Sequence, residues 1–270
     1  MARKPGTKAA PEPLFRRPVK SGGKAWWRFF RRIGRIEIEC IDLKEARSEL
    51  HRIAALLDPN ELTRFRNALT ETARVEFATC RATLRAVLCR RLGCSSEQLS
   101  LDPDASGKPQ GTVLGRAVDC HFNVSHSRPH ALIARSPRRP VGVDIEIRRR
   151  VGRSEAIVDR MFSASEARSI QRRLLEGDPN LFLDLWTAKE ALAKALGTGI
   201  LRNPQKLRLP KSLINGAHSA TIQNYGDSGG HWTIQRLGNS DYAAALAYET
   251  GPARNEFARM EYNSLTNERH

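Results

Sequence analysis

The 270-residue chain has no apolar run approaching the ~18 residues that a membrane-crossing helix needs, so a helical membrane protein is excluded. Its first residues also lack the apolar stretch of a secretory signal, and the expectation is a cytoplasmic protein. Cysteine is sparse: Cys40, Cys80, Cys89, Cys94 and Cys120 are odd in number and form no C-x-x-C pair. That excludes a disulfide framework and points to reduced, mostly buried thiols. Acid is scarcest at the start. Up to Arg35 the only carboxylate is Glu12, against a long series of Lys and Arg, and the whole chain carries a formal net charge of +16. With Pro5, Pro11, Pro13, Pro18 and Gly22-Gly23 in the same stretch, residues 1–34 read as a disordered basic tail ending in the anchor "AWWRFF". Such an arm suits acidic partners (a nucleic acid, an anionic membrane or an acidic protein), and is equally well explained as a solubilising or accidental extension.

What remains is rich in periodic segments. "RIEIECI" (Arg35–Ile41) alternates as a strand, and Asp42 is placed to cap a helix running to about Leu57, before Pro59. Apolar residues recur at helical spacing from Glu71 to Leu92, with Gly93 as the stop and Arg74, Arg81, Arg85, Arg90 and Arg91 on the polar surface. "DPDASGKPQG" reads as a loop, and "CHFNVS" and "HALIARS" as a hairpin. After a break near Pro137–Pro140, "VGVDIEI" alternates again, helical patterns fill about Ser154 to Leu196, and "KLRLP", "SATIQ", "HWTIQRL" and "YAAALAYE" read as strands. The order predicts an α+β protein with a half over 35–139, a second over 140–250 and a polar tail over 251–270.

The chemistry concentrates in three places. In "VGVDIEI" the alternation sets Asp144 and Glu146 on one face, roughly 6.5–7 Å apart, where two like charges are costly without a cation between them. In the helix "LFLDLWTAKEALAKALGTG", Leu181, Leu185, Leu192 and Leu196 form the apolar stripe, and Trp186, Glu190 and Lys194 lie in a row on its flank. Lys189 falls nearer the stripe and is expected to snorkel. Taken alone, Glu190 and Lys194 are better explained by an ordinary surface ion pair. In "FNVSHS", His121, Asn123 and Ser125 share one strand face, His126 stands at the strand end, and a hydroxyl and an imidazole there suit a phosphate oxygen. A zinc site from Cys120, His121, His126 and His130 matches no standard spacing, and a Ser125–His126 nucleophile pair would point to opposite faces. Asp144, Glu146 and Glu190 together suit Mg²⁺, whose remaining ligands are waters and substrate phosphates. Lys108, Ser125, His126 and Lys194 would then handle a phosphate-rich substrate.

"GKP" (Gly107–Pro109), "FNVSHS", "VGVDIE", "FSASE" and "WTAKEALAKALGTG" occur in the order and rough spacing of the 4′-phosphopantetheinyl transferases, and the chain resembles their larger, surfactin-synthetase-activating type over about Arg64 to Glu249. The resemblance implies a monomer of two similar α+β halves, a pseudo-dimeric fold with coenzyme A bound between the halves. It also implies Mg²⁺-dependent transfer of the phosphopantetheine arm to a serine of an acidic apo acyl or peptidyl carrier protein, releasing 3′,5′-adenosine bisphosphate. By the same resemblance Asp144, Glu146 and Glu190 are the metal-binding acids and Lys194 meets the pyrophosphate. Lys108, Pro109, Asn123, Ser125 and His126 contact coenzyme A, His126 at its 3′-phosphate. Glu190 is the candidate acceptor of the serine proton. Arg74 and Arg81 are the candidates for the nucleotide phosphate, with Arg64 or Arg85 as alternatives. Two other classes fit the charge and the carboxylates less specifically: a basic nucleic-acid-binding protein, and another Mg²⁺-dependent phosphotransferase or nuclease.

Overall fold

A computed structural model describes residues 26–104, 108–148, 155–198, 204–225 and 230–251. Most of the basic tail, Gly107, Gly199 and the polar C-terminal stretch after Gly251 lie outside these residues. The first half runs β1 (Trp27–Ile33), β2 (Ile36–Asp42), α1 (Leu43–Ser48), α2 (Leu50–Ala54), α3 (Pro59–Asn67), α4 (Glu71–Leu92), β3 (Leu99–Pro103), β4 (Pro109–Val113), β5 (Arg116–Ala117), β6 (His121–Ser127) and β7 (His130–Ser136). The second runs β8 (Val141–Ile147), α5 (Glu155–Met161), α6 (Ala164–Leu175), α7 (Leu181–Leu196), α8 (Lys211–Ile214), β9 (Ser219–Tyr225), β10 (Gly230–Arg236) and β11 (Tyr242–Glu249). The predicted α+β class is what forms. No helix among the described residues is long and apolar enough to cross a membrane.

The strands form antiparallel sheets of order β1-β2-β7-β6 and β8-β11-β10-β9, plus a small one of order β3-β4-β5. Alternation decides what lies on each face. Along β7, Ala131 and Ile133 meet Leu84, Val87 and Leu88 of α4, while Leu132 and Ala134 meet β8 and β11. Along β11, Ala244 and Leu246 face the first sheet, while Ala245 and Ala247 face α7. Both strands are buried on both sides, which is why they read as nearly continuous apolar runs. The result is four layers, α4, sheet, sheet and α7, with each half contributing one sheet and one covering helix.

Helix α4 has the predicted bounds. Thr70 Oγ1 accepts from the Ala73 N–H at its start, and Gly93 closes it at φ 67°, a left-handed conformation that costs glycine little. Elsewhere the structure corrects the reading. Residues 27–33 are no tail but an edge strand on β2; a register shift between Phe29 and Arg31 breaks the period of two and hides the pattern. The helix capped by Asp42 does not reach Leu57 unbroken. The Ser48 hydroxyl turns back onto the Glu45 carbonyl at 2.9 Å, and α2 begins at Leu50. Pro59 starts α3 rather than ending a helix, because Asp58 and Glu61 form a capping box around it. "DPDASGKPQG" is a loop only in its middle, since β3 and β4 pair out to Pro103 opposite Pro109. "KLRLP" is not a strand. It follows a turn of 3₁₀-helix over Pro204–Lys206, and the Leu209 N–H donates to Glu166 Oε1 at 2.7 Å instead of to a sheet.

Candidate active site

Strand β8 presents Gly142, Asp144 and Glu146 toward α7. A Cβ built on Gly142 would stand 2.1 Å from the Ala191 carbonyl oxygen and 2.5 Å from the Ala195 nitrogen, so α7 crosses β8 in direct backbone contact. That approach hangs Glu190 and Lys194, one helical turn apart, beside Asp144 and Glu146. Lys194 Nζ donates to Asp144 Oδ1 at 2.6 Å, to Ser125 Oγ at 3.0 Å and to the Val143 carbonyl at 3.3 Å. The surface pair Glu190–Lys194 does not form; Lys194 turns to Asp144.

The "NVSHS" strand supplies the other wall. The Val143 N–H donates to Asn123 Oδ1 at 3.0 Å and the Ile147 N–H to Ser127 Oγ at 3.1 Å. The Ser125 hydroxyl donates to Asp144 Oδ1 at 2.7 Å and the Ser127 hydroxyl to Glu146 Oε2 at 3.0 Å. Asn123, Ser125 and Ser127 therefore stand in for a missing neighbour strand along the free edge of β8, and hold its two carboxylates in place. Asn123 and Ser125, expected on coenzyme A, are buried in this clamp. Ser127 was not singled out, although the same period of two that picked Ser125 reaches it. His126 points the other way and is exposed. Lys108 Nζ lies 3.5 Å from the Lys194 carbonyl, which brings the "GKP" loop to the end of α7.

The electrostatics carry the imprint of crowded acids. Burial raises the pKa of Glu146; the Ser127 hydrogen bond opposes this, Asp144 adds to it, and Lys194 and His126 lower it. Burial likewise raises Glu190, with Asp144 and Glu146 adding to the shift and Lys194 opposing it. Among the described residues no three His, Cys, Asp or Glu side chains are drawn into a closed metal-ligand cluster, neither the three acids nor the Cys120 and histidine set. The donors nevertheless fit a hard divalent cation. Asp144 Oδ2 is buried with no hydrogen-bond partner, and its neighbours are two mutually repelling carboxylates.

The arginines of α4 divide. Arg81 and Arg85 are not on a polar surface: they are 8% and 3% exposed. Arg85 donates to the Leu99 carbonyl at 2.8 Å and pairs with Asp58 at 3.1 Å and Glu61 at 3.3 Å, tying α3 and β3 to α4. Arg81 donates to the Leu101 carbonyl at 3.1 Å and lies 3.5 Å from Glu61. Buried carboxylates drew both inward, which a helical wheel does not reveal. Arg74 is half-buried on the first half of α4, and Arg64 is exposed with its guanidinium 4.9 Å from the Phe77 ring centre.

Lys189 does not snorkel. It is fully buried, with Nζ 3.1 Å from Glu166 Oε2, 3.1 Å from the Met161 carbonyl, 3.0 Å from the Pro204 carbonyl and 4.4 Å from the Phe162 ring centre. Burial lowers its pKa and Glu166 raises it back in part. The pair joins "FSASE" to "WTAKE" beneath the carboxylates and fixes the rotation of α7. Lys189→Ala is expected to cost about 3–5 kcal/mol in urea denaturation, because Glu166 would be left charged in the core. Lys189→Met with Glu166→Gln should cost less than Lys189→Ala alone. Equal losses would show that the pairing is not what stabilises this region.

Comparisons with known proteins identify the family. The model of the 4′-phosphopantetheinyl transferase superfamily matches residues 140–247, the segment that carries Asp144, Glu146, Glu190 and Lys194. The 4′-phosphopantetheinyl transferase slr0495 of Synechocystis sp. is 31% identical over 222 residues, covering 79% of this chain and 86% of that protein. The 4′-phosphopantetheinyl transferase HetI of Nostoc sp. is 33% identical over 165 residues, covering 60% and 68%. The L-aminoadipate-semialdehyde dehydrogenase-phosphopantetheinyl transferase of Homo sapiens is 28% identical over 146 residues, covering 50% and 46%. With the first of these aligned along most of both chains, the chain belongs to the 4′-phosphopantetheinyl transferase superfamily.

Proposed function

We propose that this phosphopantetheinyl transferase takes its arm from coenzyme A with Mg²⁺ bound, passes it to a serine of an apo carrier protein and releases 3′,5′-adenosine bisphosphate. The observation that supports this reading most is the unpartnered, buried Asp144 Oδ2 beside Glu146 and Glu190, with Lys194 already seated on the other oxygen. Asp144, Glu146 and Glu190 would hold the metal, which when bound supplies positive charge to the pyrophosphate oxygens. Lys194, partly open to solvent beside the same acids, would add a second cation as charge grows on the leaving oxygen. Ser125, Ser127 and Asn123 position the acids. Burial lowers the pKa of Lys108, with Asp104 opposing, and a phosphate anion beside it would oppose that shift too. Glu190 accepts the serine proton, directly or through a water, as the serine oxygen bonds the β-phosphorus and the phosphoanhydride P–O bond breaks. The basic surface suits an acidic carrier.

Product analysis tests the reading. With carrier and Mg²⁺ present, coenzyme A consumption should match 3′,5′-adenosine bisphosphate release, and both should stop with EDTA. Consumption without the bisphosphate would place the broken bond elsewhere and sink the proposal. His126→Ala and Lys108→Ala should raise the KM for coenzyme A about ten- to a hundred-fold while lowering kcat less, since each removes a charge-assisted contact remote from the reacting atoms. Dephospho-coenzyme A, which lacks the 3′-phosphate, should erase the His126→Ala penalty. An equal penalty with both substrates would remove His126 from that phosphate.

A further inference from the structure

A second basic recess lies away from the carboxylates. A cavity of about 660 Å³ opens at the far end of the first sheet, where Arg32 of β1, Arg35 of the β1–β2 turn, Arg90 and Arg91 of the last turn of α4, Arg135 of β7 and Arg138 of the link to β8 converge. Two carboxylates share the lining, Glu37 and Asp119. Glu37 is taken by both Arg32 and Arg135, and Arg90 pairs at 3.1 Å with Glu39 behind the wall. Arg35 and Arg91 are exposed and make no ion pair among the described residues. Arg135 is only 8% exposed, and its Nε is buried without a hydrogen-bond partner.

The recess is separate from the proposed metal-binding acids. From Cys120 on its wall to Ser125 is five strand residues, about 16 Å. Cys120 also faces α4, whereas Ser125 faces β8. From Arg90 back to Arg81 is nine helical residues, about 13 Å.

We propose that this cavity is a second anion site, which takes a small ligand bearing two or more phosphate groups. Guanidinium forks match phosphate oxygens two at a time, and clustered arginines repel each other until an anion sits among them. A lone phosphate brings about two negative charges and leaves the excess uncompensated. Several chain segments line the recess, and its volume is that of a small-molecule site rather than of a track for an extended polyanion.

The test is calorimetric titration of the full chain with inorganic triphosphate, in Mg²⁺-free buffer, after coenzyme A has been added to saturation. Triphosphate is expected to bind once per chain in the presence of coenzyme A, more weakly as salt rises. Arg35→Gln with Arg91→Gln should weaken it on the order of a hundredfold, and each single variant about tenfold. The single variants decide the matter should the double variant melt early. The proposal is overturned if coenzyme A abolishes the binding, because triphosphate then occupies only the coenzyme A site. It is overturned equally if the variants bind like the wild type, or if an oligodeoxythymidylate or an acidic peptide binds the recess and triphosphate does not.

Discussion

Glu190→Ala and Asp144→Ala should each lower transfer to a carrier protein by about a thousandfold or more while leaving the fold intact. Glu190 is half-buried on the flank of α7, with a pKa raised by burial and by its acidic neighbours, so removing its charge relieves repulsion in the free protein. Asp144 is more deeply set, but its partners can adjust. Lys194 is partly open to water, and the Ser125 hydroxyl can rotate. The loss should therefore appear in turnover and not in the melting curve. Mn²⁺ binding, followed by electron paramagnetic resonance in the presence of coenzyme A, should weaken in both variants. Folded variants that keep near wild-type turnover at saturating Mg²⁺ would overturn the metal assignment.

Gly142→Ala should be the most damaging single methyl in the protein. Its Cβ would fall 2.1 Å from the Ala191 oxygen, 2.5 Å from the Ala195 nitrogen and 3.1 Å from the Lys194 carbonyl carbon. All three are backbone atoms of a buried helix, which cannot step aside as a flexible side chain would. The helix must lift from β8, opening its seam with Ala245 and Ala247 and carrying Glu190 and Lys194 away from Asp144. The expected cost is several kcal/mol in denaturant unfolding, with transfer lost even in the fraction that stays folded. A variant with the wild-type denaturation midpoint would show that the close crossing of α7 is not what assembles the site.

These two variants mark where the sequence was legible and where it was not. Period-two alternation located Asp144 and Glu146, and helical spacing put Glu190 and Lys194 on one flank of α7. Both are local patterns that survive any tertiary context. The partners were not local. Ser127 and Asn123 form a clamp because β6 lies along the free edge of β8, with partners 20 residues apart in sequence. The helical pattern puts Arg81 and Arg85 on a polar surface and makes Lys189 snorkel, because their counter-charges, Glu61 and Glu166, come from other elements. The same applies to Gly142, whose role depends on a helix some fifty residues downstream. The strand over 27–33 was hidden by a bulge, and α3 by a proline that begins a helix as readily as it ends one.

Intact mass spectrometry of an apo carrier protein, incubated with this protein, coenzyme A and Mg²⁺, bears most directly on the central claim. The carrier should gain the mass of one phosphopantetheine group, on its serine, with no gain when coenzyme A or Mg²⁺ is left out or when Glu190→Ala replaces the wild type. Unchanged mass across acyl and peptidyl carriers, with folded protein and intact coenzyme A, would contradict the account.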